Sequence, residues 1–320
     1  MDTVFIRPDV KAFVDFLNSA TTPKLHEMPI EQGREMMRSQ RALADAEPMP
    51  LAVVRDVSIP GPAGTIPARL YDPRENREPG PAIVYFHGGG FVVGDLDSHD
   101  PICREIAQEM DLPLIAVDYR LAPENPWPAA PADCEAAARW IAQSPDALGR
   151  QVTGLILAGD SAGGTLSAVT AIALRDQQAS VPLLAQWLIY PAIDLENSAR
   201  YTSYQHFSEG FLLSHDAMIW FNDCYQSDMS HWRASPLRAD LAGLPPTLVI
   251  TAALDPLRDQ GRAYAAALIE AGVETIHLEA PGIIHGFVNL RKAIPSSAED
   301  IQKCLNLLKC VIADAGKARP

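Results

Sequence analysis

The stretch Leu155-Ile156-Leu157-Ala158-Gly159-Asp160-Ser161-Ala162-Gly163 constrains this chain more than any other. An apolar run that reads as a strand enters the pentapeptide Gly-Asp-Ser-Ala-Gly, and a helix-like run from Thr165 to Arg175 leaves it. This is the G-x-S-x-G pattern in its strand, sharp turn, helix context. A serine in that turn is forced into strained backbone, and the glycines on either side relieve the crowding. The turn holds the hydroxyl where a base can reach it. The helix start offers unpaired N–H groups and a partial positive charge to any oxyanion that forms beside it. Short glycine and serine patterns arise by chance, so the weight rests on the flanks and on partners elsewhere in the chain.

The first partner lies upstream. Ala82-Ile83-Val84-Tyr85-Phe86 reads as a buried strand that ends in His87-Gly88-Gly89-Gly90. An elbow supplies one oxyanion donor, here the N–H of Ala162, and a second comes from the loop after an earlier strand. Three glycines let such a loop bring bare backbone against a substrate oxygen, so Gly88 and Gly89 are the expected further donors. His87 sits on the oxyanion side and reads as a hydrogen-bonding anchor for the glycine loop rather than as the base.

An activated serine also needs a base and an acid to orient it. Thr247-Leu248-Val249-Ile250-Thr251 is a strand run followed by Asp255-Pro256-Leu257-Arg258-Asp259, and the strand-like Glu274 to Glu279 is followed by Gly282-Ile283-Ile284-His285-Gly286-Phe287. Both segments offer a candidate just past the C-terminal end of a strand, the edge where open parallel sheets bind ligands. His285, in a glycine-flanked loop, is the preferred base; His277, mid-strand, is its rival. Asp255 is the preferred acid, in competition with Asp194 and with Asp259, which has a structural reason to sit in the first turn of a helix. His26, His99, His206, His215 and His231 read mostly as surface or capping residues. No H-E-x-x-H or Cys/His spacing marks a metal site, and this chemistry calls for no cofactor.

From Tyr85 onward strands and helices alternate, which specifies an α/β architecture: a mostly parallel sheet with helices on both faces. Two helices, within residues 5–20 and 30–46, precede the sheet. The strands at 51–59 and 66–72 are expected to be antiparallel across the turn Pro60-Gly61-Pro62-Ala63-Gly64. Ser98 is a candidate cap for a helix ending near Met110, and residues 131–143 read as another helix. Residues 195–235 break the alternation and are rich in aromatics, among them Phe207, Phe211 and Trp220. They read as a helical cap that joins the N-terminal pair, with Phe207, Phe211 and the loop residue Phe91 as walls of an apolar pocket above Ser161. The implied division is 1–47 as cap helices, 48–194 and 241–320 as the catalytic domain, and 195–240 as the cap insertion.

These segments together resemble the bacterial hormone-sensitive-lipase-like carboxylesterases (family IV) of the α/β-hydrolase superfamily. The matching stretches are His87 to Phe91, Asp118-Tyr119-Arg120-Leu121-Ala122-Pro123-Glu124, Gly159 to Gly164, Asp255 to Asp259 and His285-Gly286-Phe287, in the family's order over about residues 50–290. The resemblance implies Ser161 as nucleophile, His285 as base, Asp255 as its orienter, and Gly88, Gly89 and Ala162 as oxyanion donors. It also implies a small-molecule ester substrate with a short to medium acyl chain. The same constellation would serve amide, lactone or carbamate hydrolysis or acyl transfer, and a catalytically silent, ligand-binding hydrolase fold is the non-enzymatic alternative. In the segment 118–124, Tyr119, Arg120 and Glu124 read as braces behind the glycine loop rather than as chemical groups.

Composition bounds the remainder. At 320 residues, 48% hydrophobic and 21% charged, the chain suits one large α/β domain or a domain with an inserted cap. A formal net charge of −14 argues against nucleic acid and anionic membranes as partners. Five cysteines without C-x-x-C suit a reducing, cytoplasmic setting. No secretory signal or membrane span is expected. An edge strand near the C-terminal part offers a pairing surface for a homodimer, and the tail from Gly316 is expected to fray.

Overall fold

Aliphatic and β-branched runs bounded by glycine, proline and acidic residues become the strands of a sheet. A computed structural model of the chain describes residues 4–21 and 23–315; the tail from Gly316 to Pro320 lies outside the described residues. The chain begins with α1 (Pro8–Ser19) and α2 (Ile30–Ala44), separated by a 3-10 turn at Leu25–Glu27. An antiparallel hairpin follows, β1 (Val53–Gly61) and β2 (Gly64–Asp72), in which Pro62 and Ala63 close the turn between the paired Gly61 and Gly64. Alternation then sets in with β3 (Gly80–Phe86), α3 (Asp100–Met110), β4 (Leu114–Val117), α4 (Ala129–Ala142), β5 (Val152–Asp160), α5 (Ala162–Asp176) and β6 (Leu183–Ile189). Two short helices, α6 (Thr202–Phe207) and α7 (His215–Tyr225), interrupt it before β7 (Thr247–Leu254), α8 (Arg258–Glu270), β8 (Thr275–Ile284) and α9 (Ser297–Ala315).

Among the described residues the strands form one eight-stranded sheet in the order β1-β2-β4-β3-β5-β6-β7-β8. β2 pairs antiparallel with β1 and β4, and every neighbouring pair from β4 to β8 is parallel. Successive residues of a strand point to opposite faces. Here both faces are covered, which is why the strands read as continuous apolar runs rather than as an alternation. Val84, Leu157 and Val249 pack with Leu166 of α5 and Tyr264 of α8, while Ile83, Ile156 and Leu248 pack on the other face with Ile106 of α3 and Leu305 of α9.

Two local expectations shift. β8 runs on to Ile284, where it pairs with Leu254 after a register shift, so His285 leaves a strand end directly instead of a loop. Ser98 does not cap α3: His99 precedes that helix, and Ser98 instead exchanges hydrogen bonds with Asp95. α7 packs on the Leu25–Glu27 turn, and the Asn18 amide donates to Gly210 O (3.1 Å), so residues 202–225 lie against the N-terminal helices. No helix among the described residues is long and apolar enough to cross a membrane.

Candidate active site

Four parallel strands each deliver one polar residue at the position after their last: His87 after β3, Ser161 after β5, Asp255 after β7 and His285 after β8. Because these strands run in one direction, the four residues emerge at one edge of the sheet. At the elbow Ser161 has φ 54° and ψ −118°, outside the ordinary regions for a residue with a side chain. Its N–H donates to Ile189 O (2.8 Å), which anchors the turn to the neighbouring strand. Two residues on, a Cβ at Gly163 would overlap the carbonyl of Phe86, so α5 reaches the end of β3 only because that residue has no side chain.

The geometry joins three residues far apart in the chain. His285 Nε2 lies 2.9 Å from Ser161 Oγ, and His285 Nδ1 lies 2.7 Å from Asp255 Oδ2. Asp255 is fully buried, and its other oxygen accepts the Leu257 N–H (2.8 Å). With Nδ1–H donated to Asp255, Nε2 is left to accept the serine proton. Tyr190, at φ 36°, lays its ring 4.5 Å from the imidazole and fills the space beside it. The rival residues stand elsewhere. Asp194 accepts from Tyr201 Oη (2.8 Å) and Asn197 Nδ2 (3.0 Å). Asp259 accepts the Ser203 N–H (2.8 Å), and His277 meets Thr251 Oγ1 (3.1 Å) in the middle of β8.

The glycine loop differs from expectation at one position. The Gly88 N–H donates to Asp160 Oδ1 (2.9 Å), so it is already engaged and is not available to a substrate oxygen. Gly89 and Gly90, at φ 125° and 60°, donate no backbone hydrogen bond among the described residues, nor does Ala162 at the start of α5. The N–H groups without a hydrogen-bond acceptor here are therefore those of Gly89, Gly90 and Ala162, whereas that of Gly88 has one.

Asp160 is the hub beneath this loop. Besides Gly88 it accepts from Tyr85 Oη (2.9 Å), and His99 Nε2 lies 3.3 Å away. Burial opposes its ionisation, yet His99, Arg41 and the Tyr85 hydroxyl together hold its carboxyl well below the usual range. His99 stands at the cap position of α3, one of the two roles expected for it, but it is buried and its side chain partners the elbow aspartate instead of capping the helix. His87 anchors the loop as expected, with Nδ1–H donated to Gly88 O (2.9 Å) and its ring stacked on Tyr119, whose hydroxyl donates to His87 O (2.7 Å). Burial, and then the adjacent His99, push the His87 imidazole down to about 4. Arg120 forms a paired contact with Asp133 of α4 (2.7 and 2.8 Å), consistent with a bracing role.

The expected pocket aromatics divide. Phe91 is buried in the core and stacked on Tyr225 at 3.9 Å. Phe207 is also buried, edge-on to the partly buried Phe211 (5.4 Å) and beneath the Arg258 guanidinium. Two apolar side chains the sequence did not single out lie nearer the chemistry. Phe221 of α7 packs its ring on Gly90, and Leu212, exposed and at φ 71°, lies over Gly286. Nothing in the sequence separated Phe221 from the other aromatics of 195–235, and nothing marked Tyr190 or Leu212 for positive φ.

The chain is similar to known proteins of this fold. The family described as alpha/beta hydrolase fold matches residues 83–289. The chain is similar to the carboxylic ester hydrolase LipN of Mycobacterium tuberculosis, with 41% identity over 84% of this chain and 74% of the relative. It is similar to an ethyl acetate hydrolase of Pseudomonas putida, with 34% identity over 95% of this chain and 98% of the relative. Among solved structures it is similar to ester-hydrolase EH1AB1 from the metagenome of Lake Arreo, complexed with a derivative of bipyridine phosphonate. That match has a TM-score of 0.90 and 37% identity, covering 95% of this chain and 98% of the other.

Proposed function

Given that this chain belongs to the hormone-sensitive-lipase-like family of the α/β-hydrolase fold and is a carboxylic ester hydrolase, we propose that Ser161, His285 and Asp255 are its catalytic triad and that Gly89, Gly90 and Ala162 donate to the oxyanion. The observation that carries the proposal is the continuous pair of contacts, Ser161 Oγ to His285 Nε2 at 2.9 Å and His285 Nδ1 to Asp255 Oδ2 at 2.7 Å.

The chemistry follows from those contacts. An ester docks with its carbonyl oxygen toward the three free amides. His285 Nε2 takes the Ser161 proton as Oγ attacks the carbonyl carbon, and the charge moves to the carbonyl oxygen, where preformed N–H dipoles need no reorganisation. Asp255 holds the imidazole tautomer and stabilises its cation. His285 then passes the proton to the leaving alcohol as the C–O bond breaks. A water that gives its proton to the same nitrogen releases the acid and restores Ser161.

Substrates in this reading are carboxylic esters with short to medium acyl chains, held between Gly90 and Gly286 by Phe221, Leu212 and Phe211. The relative named for ethyl acetate hydrolysis supports the short end of that range. The segments 1–47 and 195–240 act as a cap over this edge, supported by the bond from Asn18 to Gly210 and the 4.0 Å approach of His26 to Asp216. The five free cysteines favour a reducing, cytoplasmic setting. β8, at one edge of the sheet, is the strand on which two copies would pair.

Ser161→Ala is expected to lower turnover of a short-chain aryl ester by several orders of magnitude with the fold intact. In the parent an organophosphate should label Ser161, read by mass mapping. Near-parent turnover in the variant, or a label on another residue, would remove the assignment. An ester, amide and lactone panel ranks the acyl substrates that share this mechanism.

A further inference from the structure

Gly89, Gly90 and Phe91 have φ of 125°, 60° and 65°, three consecutive residues in the positive region. For Phe91 such backbone is unfavourable and persists only where the surroundings over-determine it. Part of the restraint is local: the Val92 and Val93 N–H groups donate to Gly89 O (3.1 and 3.0 Å), and the Ala122 N–H donates to Phe91 O (2.9 Å). The other part comes from α2. Arg34 Nε–H donates to Val92 O (2.9 Å), and Arg34 Nη2–H donates to Ala122 O (3.0 Å). Its remaining N–H groups face Glu124 (2.7 and 3.1 Å) and Glu31 (2.8 Å). One planar guanidinium therefore joins the segment just after Gly90 to the residue whose own N–H holds Phe91. Val92 and Ala122 are buried, so their carbonyls have few other donors. A lysine, with a single point of charge on a flexible stem, does not reproduce this planar fork.

We propose that Arg34 is a positioning residue for the oxyanion amides: from the N-terminal helix it fixes the strained 89–91 turn so that the Gly89 and Gly90 N–H groups keep their aim. The inference rests on the reading of those two amides as oxyanion donors. It gives α2 a part in transition-state stabilisation, at a distance from the substrate.

The test uses the full chain as Arg34→Met, which keeps the aliphatic stem, with Arg34→Lys and Glu124→Gln alongside. Four quantities are read: kcat, KM, affinity for a trifluoromethyl ketone that adds to serine to form an oxyanion, and affinity for the matching alcohol, which forms none. Arg34→Met is expected to lose about 10- to 100-fold in kcat, a fraction of the loss on deleting an oxyanion donor. Its KM should stay within about threefold, its ketone affinity should fall by a matching factor, and its alcohol affinity should hold. Arg34→Lys should lie between, and Glu124→Gln should stay within about twofold of the parent, because Arg34 keeps both carbonyls. Parent kcat and ketone affinity in Arg34→Met overturn the proposal, as does a loss shared equally by the alcohol. So does a Glu124→Gln enzyme as impaired as Arg34→Met, which would place the effect in the ion pair. If Arg34→Met does not fold, Arg34→Lys decides by the same readouts. A parent that fails to prefer the ketone over the alcohol overturns the oxyanion reading itself; a parent that prefers it, with Arg34→Met preferring it equally, overturns only the role of Arg34.

Discussion

At the scale of single residues, the partners already held by each buried carboxylate decide which one can orient the base. Asp255 spends one oxygen on a backbone N–H and the other on His285, whereas Asp194 is occupied by Asn197, Arg200 and Tyr201. Asp255→Asn, with one oxygen replaced by an amide, can hold the wrong imidazole tautomer and is expected to lower kcat by about 10³- to 10⁴-fold, by analogy with triads of this kind. Asp194→Asn should stay within about tenfold of the parent, and ester kinetics on the two variants checks the pair. His87 supplies a pH signature. Its imidazole falls from an ordinary 6.5 to about 4 in the fold, so between those values the unfolded chain binds a proton that the native one refuses. The stability it contributes is complete above pH 6.5 and is lost as pH falls toward 4, by up to about 3 kcal/mol. His87→Asn removes that titration. Urea unfolding at pH 7 and pH 4.5 should show a smaller stability difference in the variant than in the parent, and equal differences would contradict the buried neutral imidazole.

At the scale of elements, the elbow works because α5 starts against the end of β3. Gly163 meets Phe86 O and His87 O, both backbone atoms that cannot swing aside. Gly163→Ala is expected to push α5 and Ser161 away from the glycine loop, at a stability loss of about 2 kcal/mol or more, with a fall in kcat from the displaced nucleophile. Thermal unfolding and steady-state kinetics read the two effects, and a variant of parent stability and turnover would show that α5 can shift freely. The same proximity explains Asp160. It is the last residue of β5, so a side chain ahead of the nucleophile reaches the first glycine of a loop leaving β3, and elbow and loop are held as one unit.

At the scale of the whole molecule, the N-terminal segment is fastened to the body at several points. Arg7 pairs with Asp300 (2.6 Å) and donates to Pro281 O (2.7 Å), while Asp45 and Glu105 flank the buried guanidinium of Arg291. Removing residues 1–45 leaves Arg291 with Glu105 alone, a loss of about 3–5 kcal/mol for breaking a buried pair. The truncated protein is expected to melt earlier, to bind a hydrophobic dye and to change its acyl-chain profile. A folded truncation with the parent profile would count against residues 1–47 as a cap.

The order of strands and helices, the parallel sheet and the elbow were legible in the sequence, because each rests on short-range physics: a run of apolar residues, a glycine where no side chain fits, a strand followed at once by a helix. Ser161, Asp255 and His285 could be named for the same reason, since each follows a strand. What the linear order could not carry was the assignment of buried polar partners. The Gly88 N–H was taken by Asp160, 72 residues away; the His99 side chain was buried at the hub beneath the loop; Phe91 turned into the core, and Phe221 came to lie on Gly90. Those outcomes were decided only by tertiary structure, because a buried donor or acceptor must find its partner among whatever groups the packed strands bring near, and that neighbourhood is set by distance in space rather than along the chain.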